Sequence, residues 1–485
     1  MSNDEQLIIG GERVAGGDGT YEIIDPATEQ VIAHAPQAST SQAADAVGAA
    51  RAAFDDWSAT APAERARLLD RVATLIDQHT DELIELTIRE TGGTRRTCTN
   101  IQVPHAAVRF RRYARGALEP TVTPLPPSIT DAGAMGPAAV TNALAQRLPV
   151  GVVSAITSYN FPLVNMAGKI GPALAAGNTV VVKPAPQDPL GVLRLVELCQ
   201  EAGFPPGVVN AITTTNVAPA EVLTTHPDVD MVSFTGSTAV GQAIAQAGGR
   251  TMKRLLLELG GKGACLVFED ADLGAATSGI ASVWGFHAGQ ICTAPTRVLA
   301  HRSIHDQLVD NLTAVPAFLT VGDPQSDATL VGPLISAAQR DRVMDHIARG
   351  VADGAHLAVG GDRPDIDTGY YVNPTLFTGC TNAMAISREE IFGPVVVVIP
   401  FDDEDEAIAI ANDSEYGLYD YLYTASTPRA LRLAPRLRAG NVAVNTLGRN
   451  PETPFGGFKQ SGLGRDGGSY GLAVYSELQS VIWPS

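Results

Sequence analysis

The stretch that decides the fold is GVVSAITSYNFPLVNMAGKIGPALAAGNTVVVK, residues 151–183. An apolar run of strand length, Val152–Thr157, is followed by a helical segment, Leu163–Ala176, and then by a second apolar run, Thr179–Lys183. A strand, a helix and a strand in this order predict parallel strands that are covered by helices.

The same alternation continues to residue 258. Helices are predicted at Leu190–Gly203, Ala218–Thr225 and Thr238–Ala247, and extended segments at Val208–Thr213, Val229–Phe234 and Arg254–Glu258. We therefore expect an α/β fold with a mostly parallel sheet, whose ligands bind at the carboxyl ends of the strands.

A second α/β set occupies the rest of the chain. Its predicted strands are Arg297–His301, Val395–Pro400, Tyr421–Thr424 and Asn441–Val444, and its predicted helices are His305–Leu312, Ser336–Ala352, Glu404–Asn412 and Ala430–Arg438. A last strand, Leu472–Trp483, is expected to reach across to another subunit.

The amino-terminal third has a different pattern. Short strands are predicted at Gln6–Gly10 and Tyr21–Ile24, followed by helices between Ser41 and Arg115. The proline-rich residues 117–148 suit an extended, exposed connection, and Thr141–Pro149 is then predicted to be a strand.

Composition narrows the class of protein. A chain of 485 residues needs more than one core, and its net charge of −18 should repel nucleic acids and anionic membranes. The acidic start Met1–Glu5 and the absence of an apolar run of about 20 residues argue against a secretory leader and a membrane helix. Five cysteines without C-x-x-C spacing argue against a disulfide framework or a zinc site and favour the cytoplasm.

Polar residues follow four of the predicted strands. Asn160 could donate to an oxyanion or cap the next helix, and Glu258 could be a general base or a charge that marks the strand's exit to water. Lys183 could bind ribose or phosphate or be solvated, but only five of the 34 basic residues are Lys. The turn Gly236-Ser237 opens a helix and could hold a pyrophosphate.

Cys292 lies in Gly289-Gln290-Ile291-Cys292-Thr293, after a helical apolar stretch. A cysteine behind a glycine-containing turn could be exposed and activated, whereas a single cysteine is more often buried and inert. The sequence lacks H-E-x-x-H, G-x-x-x-x-G-K-[ST] and G-x-S-x-G, which argues against zincins, P-loop enzymes and α/β-hydrolases.

Seven segments in order resemble the aldehyde dehydrogenase superfamily, and the resemblance runs from about Tyr21 to Val481. Those segments are Asn160-Phe161-Pro162, Lys183-Pro184, Phe234-Thr235-Gly236-Ser237, Glu258-Leu259-Gly260-Gly261-Lys262, Gly289-Gln290-Ile291-Cys292, Glu389-Glu390-Ile391-Phe392-Gly393-Pro394 and Pro454-Phe455-Gly456-Gly457-Phe458-Lys459. Each is weak alone, but together they favour the functional interpretation of Cys292, Glu258, Asn160 and Lys183.

The resemblance implies a three-part architecture. A Rossmann-like cofactor-binding domain would comprise residues 1–122 and 149–258, and an α/β catalytic domain residues 259–460. A small β oligomerisation arm would comprise residues 123–148 and 470–485, and a homodimer or homotetramer would follow from it.

The resemblance also implies a mechanism without a metal. Cys292 would attack the aldehyde, with the oxyanion held by the Asn160 amide and the Cys292 N–H, and hydride transfer to NAD would leave a thioester that Glu258 hydrolyses with water. The implied cofactor contacts are Lys183 on the adenosine ribose, Glu390 on the nicotinamide ribose, Phe392 near the nicotinamide, Gly236 and Ser237 at the pyrophosphate, and Thr157 and Ser158 along the same cleft.

Several positions depart from the family pattern. Pro186 stands where many NAD-preferring relatives have a Glu that would repel the 2′-phosphate of NADP, so binding of NADP is not excluded. NAD is still expected, because no Arg follows nearby to pair with that phosphate. The family's glycine-rich turn reads Thr213-Thr214-Thr215-Asn216, which puts the adenine contacts in doubt. His287 replaces an Asn and could tune the thiol or only pack, and packing is expected. Gly168 replaces an aromatic residue, which suggests a wider tunnel and a bulky or aromatic aldehyde.

Two alternative functions remain open. One is a CoA-linked or semialdehyde dehydrogenase variant, which the presence of Glu258 argues against, because CoA-acylating relatives generally lack this Glu. The other is a structural, non-enzymatic NAD-binding protein, which the joint presence of Cys292, Glu258 and Asn160 argues against.

Overall fold

The computed structural model describes residues 6–134 and 136–484, and this part of the chain contains 20 strands. The strands are β1 (Leu7–Ile9), β2 (Glu12–Val14), β3 (Thr20–Ile24), β4 (Val31–Pro36), β5 (Val122–Thr130), β6 (Ala139–Pro149), β7 (Val152–Ile156), β8 (Thr179–Lys183), β9 (Val209–Ala211), β10 (Met231–Thr235), β11 (Arg254–Glu258), β12 (Ala264–Val267), β13 (Arg297–His301), β14 (His356–Val359), β15 (Thr375–Thr378), β16 (Val395–Phe401), β17 (Tyr419–Tyr423), β18 (Asn441–Val444), β19 (Gly462–Leu463) and β20 (Ser476–Pro484). The start Met1–Glu5, on which the prediction of no leader rests, lies outside the described residues.

The same part of the chain contains 16 α-helices. They are α1 (Thr40–Ser58), α2 (Pro62–Gln78), α3 (Thr80–Thr91), α4 (Arg95–Thr97), α5 (Val103–Gly116), α6 (Pro162–Ala176), α7 (Leu190–Ala202), α8 (Val217–Thr225), α9 (Thr238–Gly248), α10 (Leu273–Gly285), α11 (His305–Ala314), α12 (Ala337–Ala352), α13 (Ala385–Arg388), α14 (Glu404–Asn412), α15 (Thr427–Leu433) and α16 (Gly468–Val474). A π-helical segment, Cys98–Gln102, joins α4 to α5.

The first large sheet has eight strands in the order β19-β11-β10-β7-β8-β9-β1-β2. Its central strands, β11, β10, β7, β8 and β9, are parallel. Every residue of β7 and β8 is buried, because their apolar sequences are covered by helices on both faces, which is typical of parallel strands. The prediction of an α/β fold with a mostly parallel sheet is confirmed.

The second large sheet has seven strands in the order β14-β15-β16-β13-β12-β17-β18, and only β14 is antiparallel to its neighbour. The chain leaves the first sheet at β11 and enters the second sheet at β12 only a few residues later. The carboxyl ends of the first set of parallel strands therefore lie near the amino ends of the second set, and the space between them is where a site can form.

Hairpin strands β5 and β6 form a third sheet with β20. Its apolar side chains include Ile129, Leu478 and Ile482, which are exposed in the single chain. The predicted final strand began too early: residues 472–474 are the end of α16, and the strand starts at Ser476. The apolar residue Leu472 turns inward to pack on the helical core around α5, and this contact keeps the segment helical.

Two other predicted elements need smaller corrections. The extended segment predicted at Val208–Thr213 is a strand only over β9, and the helix predicted at Ala430–Arg438 begins earlier, as α15, and tightens into a 3₁₀ turn at Ala434–Arg436. Pro435 lies inside that turn and has no N–H to donate to a longer helix.

All five cysteines of the chain are free thiols. Within residues 6–134 and 136–484, no cluster of three metal-ligating side chains occurs. In that same part, every helix is too short or too polar to cross a bilayer.

Candidate active site

Four adjacent strands of the first sheet end in the predicted site residues. The register pairs Thr235 of β10 with Glu258 of β11, and Ile156 of β7 with Lys183 of β8. Because parallel strands end at the same edge of a sheet, Glu258, Gly236 and Lys183 lie in one row with the loop 157–160. The structure thus brings together residues that are up to about 100 positions apart in sequence.

Cys292 comes from the amino edge of the second sheet, in the loop that precedes β13. Two glycines allow this loop to lie against its neighbouring loops. A Cβ at Gly261 would overlap the Cys292 carbonyl oxygen, and a Cβ at Gly289 would overlap the Gly393 carbonyl oxygen. The loop after β11, the cysteine loop and the loop before β16 therefore pack directly on one another.

The backbone before Cys292 is strained. His287 and Ala288 have φ angles of 53° and 49°, and Gly289 follows with 75°. A left-handed conformation at a residue with a Cβ costs roughly 1 kcal/mol or more, and such strain is typical of functional loops. The turn that holds the cysteine is therefore maintained by its packing and not by local preference.

Cys292 differs from the other four cysteines, which are all buried, because it is partly exposed. Burial still raises the pKa of its thiol to about 12, while the positive charge of Arg449 acts in the opposite direction. Since only the thiolate is a strong nucleophile, a partly exposed thiol beside a cation is the cysteine best placed to react.

The side chain of Asn160 is buried and oriented at both ends. Its amide Nδ2 donates to the carbonyl of Gln290 at 3.0 Å, and its Oδ1 accepts from the Ser158 hydroxyl at 2.8 Å. Gln102 also donates to the main-chain carbonyl of Asn160 at 2.9 Å. The amide is therefore tied to the cysteine loop, and among the described residues its second N–H has no acceptor.

Glu258 lies buried at the end of β11, and neither carboxylate oxygen has a hydrogen-bond partner within the described residues. Burial raises the pKa of this carboxyl well above its ordinary value, and the charge of Asp466 adds to the increase, whereas Lys169 opposes it. A carboxyl with a raised pKa and open acceptor positions suits a group that takes up a proton.

The charges of Lys169 and Asp466 act on the Glu258 carboxyl, and the sequence did not identify either residue as a candidate for the site. Lys169 is buried on α6, its Nζ donates to Ser233 Oγ at 3.1 Å, and Ser233 is within 2.9 Å of the Tyr475 hydroxyl. Burial lowers the pKa of Lys169 to about 8. The scarcity of lysine was the one signal that could have indicated Lys169, whereas Asp466 had none.

The edge of the first sheet also has features that fit a dinucleotide. Lys183 is buried, and among residues 6–134 and 136–484 its Nζ donates only to the Pro184 carbonyl, at 3.2 Å. Thr157 Oγ1 is buried without a partner among the described residues. Helix α9 starts beside Gly236, with Ser237 as its N-cap, so main-chain N–H groups face the end of the sheet.

Glu390 and Phe392 lie across from this edge. Glu390 Oε1 accepts from the Gly261 N–H at 3.0 Å, and burial raises the pKa of its carboxyl to about 7. Phe392 has a φ of 57° and packs edge-on against Tyr159, with ring centroids 5.8 Å apart. Both residues therefore contact loops that carry other predicted site residues.

His287 and Gly168 differ from the family pattern, and the structure agrees with the expectation for His287 but not with that for Gly168. His287 is buried beside Phe161, 5.6 Å between ring centroids, and burial lowers its pKa to about 4, so the expectation that it packs is confirmed. The expected open space beside Gly168 is absent, because a Cβ there would overlap Arg109 Nη1. The prediction of a wider tunnel is wrong, since a side chain from α5 fills the room.

The assembled groups define what the site can do. A partly exposed thiol, an amide donor tied to the same loop and a buried carboxyl with free acceptors can form, stabilise and hydrolyse an acyl–sulfur bond. The adjacent edge of the sheet offers a lysine and a helix start for an anionic cofactor.

Comparison with known proteins places the chain among close relatives. The family model described as "Aldehyde dehydrogenase family" matches residues 14–481. A betaine aldehyde dehydrogenase of Rhizobium etli is 39% identical over 480 residues, with 98% of this chain and 96% of the relative covered. A phenylacetaldehyde dehydrogenase of Pseudomonas fluorescens is 38% identical over 488 residues, with 98% and 95% covered.

The solved structures agree with the sequence comparison. The NAD+ complex of an aldehyde dehydrogenase from Bacillus cereus superposes with a TM-score of 0.94 at 38% identity, and the match covers 99% of this chain and 96% of that chain.

Proposed function

Since this chain belongs to the aldehyde dehydrogenase family, we propose that it oxidises an aldehyde to a carboxylic acid with NAD+, through a thioester on Cys292. The observation that carries the proposal is the hydrogen bond from the Asn160 amide to the loop of the only partly exposed cysteine. It couples an oxyanion donor to a nucleophile across two different sheets.

The first half-reaction forms the thioester. The Cys292 thiolate adds to the aldehyde carbon, and the new oxyanion accepts from the free N–H of the Asn160 amide and from the Cys292 main-chain N–H. NAD+, when bound, supplies the acceptor for the hydride that leaves this carbon. The hydride leaves from the carbon that is bonded to sulfur, so this oxidation needs no metal. The sulfur stays bonded to the resulting acyl group.

The second half-reaction releases the acid. Glu258 takes a proton from water, and the hydroxide attacks the acyl carbon while the sulfur leaves as a thiolate. Neither oxygen of Glu258 has a hydrogen-bond partner in the part of the chain that the structure describes, so both are open to that proton. Lys169 and Arg109 favour its ionised form, against burial and the charge of Asp466.

The cofactor contacts are assigned by chemistry. Lys183 would hold the adenosine ribose and Glu390 the nicotinamide ribose, and the start of α9 with Gly236 and Ser237 would hold the pyrophosphate. Phe392 would pack near the nicotinamide, and Thr157 would supply its free hydroxyl. Ser158 acts instead through Asn160, whose amide oxygen it binds.

NAD is favoured over NADP, because no arginine follows Lys183 closely enough to pair with a 2′-phosphate, although Pro186 removes the usual repulsive carboxylate. The ratio of kcat/KM with the two cofactors tests this preference directly. A higher value with NADP would contradict it.

The reaction is tested by NADH formation over aliphatic, aromatic and semialdehyde substrates, with identification of the product with and without CoA. A free acid in both cases supports hydrolysis, whereas an acyl-CoA formed only with CoA supports the CoA-linked variant. Tight NAD binding without turnover of any aldehyde would support the non-enzymatic alternative.

The third sheet supports a homo-oligomer, dimer or tetramer. An isolated three-stranded sheet leaves apolar side chains such as Ile129, Leu478 and Ile482 in water, and a second copy could cover them. We assign residues 123–148 and 470–485 to this arm, 1–122 and 149–258 to cofactor binding and 259–460 to catalysis. Five free thiols suit the reducing cytoplasm.

A further inference from the structure

The space beside Gly168 is filled by a positive charge. Arg109, from α5, extends across the helix α6 until its Nη1 occupies the position that a Cβ of residue 168 would need. The same guanidinium pairs with Asp466 at 3.0 Å. Arg109 is therefore partly neutralised, but it remains partly exposed, with 29% of its side chain accessible.

A second guanidinium lies next to the nucleophile. Arg449 donates to the hydroxyl of Thr293, the residue after Cys292. It also stacks on aromatic rings, 5.0 Å from the centroid of Phe455 and 5.6 Å from that of Tyr419. Within the described residues, no carboxylate forms an ion pair with Arg449, so this exposed cation is held in place without being neutralised.

The two arginines share one locality. His105, one turn before Arg109 on α5, has its pKa lowered by burial and by the charges of both Arg109 and Arg449. Arg449 also acts on the thiol of Cys292, and Arg109 on the carboxyl of Glu258. Both cations therefore lie in the neighbourhood of His105, and Arg449 contacts the residue that follows the nucleophile, although the chain as a whole has a net charge of −18.

We propose that the aldehydes oxidised by this chain carry a carboxylate at the end opposite the carbonyl, so that the substrates are semialdehydes of dicarboxylic acids. The inference rests on the proposed function and narrows its substrate class. Glu258 argues against transfer of the acyl group to CoA, not against a substrate with a carboxylate, so the thioester formed from the semialdehyde would be hydrolysed to the diacid. Arg449 binds the carboxylate while the carbonyl reaches Cys292, and Arg109 adds positive potential in the same neighbourhood. A planar guanidinium matches a carboxylate with two parallel N–H donors.

The charge balance favours a carboxylate over a doubly charged phosphate. Arg109 already has Asp466 as a partner, so one guanidinium, that of Arg449, remains for the substrate. A single negative charge neutralises it, whereas a second negative charge would remain without a positive partner. The aromatic support from Phe455 limits the rotamer freedom that binding would otherwise remove.

The test uses the wild-type enzyme and pairs of substrates that differ only in charge. Glutarate semialdehyde and adipate semialdehyde are each compared with their methyl esters by initial rates of NADH formation. We expect kcat/KM to be about 10- to 100-fold higher for the free acids, the value of a charge-assisted hydrogen bond to a partly exposed group. The preference should decrease as the ionic strength rises.

A second measurement avoids turnover of charged substrates. Glutarate should inhibit oxidation of the methyl ester competitively, whereas the uncharged glutaramide should not. Competition by both compounds to the same extent would contradict a charge-reading site.

Variants then assign the effect to the arginine. Arg449→Gln should reduce the acid-to-ester ratio of kcat/KM about 10-fold or more. The matched control is Arg111→Gln, which removes one positive charge from α5 at a residue that pairs with Asp77, and it should keep the wild-type ratio. An acid-to-ester ratio of kcat/KM near one in the wild type overturns the inference, and so does an equal ratio in Arg449→Gln and Arg111→Gln. In either case, oxidation of uncharged aldehydes would still support the proposed function. If neither series yields NADH, both fail together.

Discussion

The side-chain amide of Asn160 donates a hydrogen bond to the main-chain carbonyl of Gln290 at 3.0 Å, across 130 positions of sequence. The donor follows β7 of the first sheet, and the acceptor precedes β13 of the second. Since Gln290 is two residues before Cys292, this bond sets the position of the amide relative to the sulfur. The Ser158 hydroxyl fixes the orientation of the same amide from the other end.

Replacing Asn160 with Ala should lower kcat by about 10²- to 10³-fold, because one preorganised oxyanion donor is lost. Steady-state rates of NADH formation measure this effect. Ser158→Ala keeps the Asn160 amide as a donor but no longer fixes its orientation, so the decrease in kcat should be smaller than in Asn160→Ala. A larger loss in Ser158→Ala than in Asn160→Ala would contradict the assigned roles.

Replacing Cys292 with Ala should abolish aldehyde oxidation while NAD still binds, because no other cysteine is exposed. Turnover and the quenching of the protein's tryptophan fluorescence by bound NADH separate the two effects. Cys199→Ala is the control, since this thiol is buried in the helical core, and it should retain activity. Turnover by Cys292→Ala would refute the thioester mechanism.

Replacing Glu258 with Gln should stop the reaction at the thioester. Because hydride transfer precedes hydrolysis, rapid mixing should record a burst of about one NADH per subunit, followed by a steady rate at least roughly 100-fold lower than in the wild type. Mass spectrometry of the quenched protein should then find the acyl group on Cys292. The absence of a burst together with normal turnover would remove Glu258 from the mechanism.

The steady-state rate should rise with pH. Burial raises the pKa of Glu258 well above its usual range and that of Cys292 to about 12, so both groups are mainly protonated and inactive at low pH. As the pH increases, the carboxylate and thiolate populations grow, by about tenfold per pH unit below each pKa. A pH–rate profile that falls between neutral and mildly alkaline pH would contradict this assignment.

Replacing Ile482 with Asp should weaken the oligomer. Ile482 lies on β20 with 64% of its surface exposed in the single chain, and a buried charge at a subunit contact would cost several kcal/mol. Light scattering after size-exclusion chromatography should report a smaller mass for the variant. Val351→Asp on α12 also replaces an exposed apolar residue, 51% exposed, and should leave the mass unchanged.

Much of the fold follows from local pattern. Buried parallel strands such as β7 and β8 are continuous apolar runs, and β13, β18 and α14 were predicted with their observed bounds, because burial and periodicity are properties of short segments. The order of the seven family segments likewise predicts Cys292, Glu258 and Asn160 as catalytic residues without any coordinates.

Contacts between distant segments could be decided only by the tertiary structure. Gly168 indicated open space from sequence alone, yet Arg109 fills that space, and Asp466 joins the site from 357 positions beyond Arg109. Arg449 reaches Thr293 across 156 positions. Sequence patterns report how each segment is buried, whereas the direction of a long side chain depends on which other segment packs against it, and that is settled only when the sheets come together.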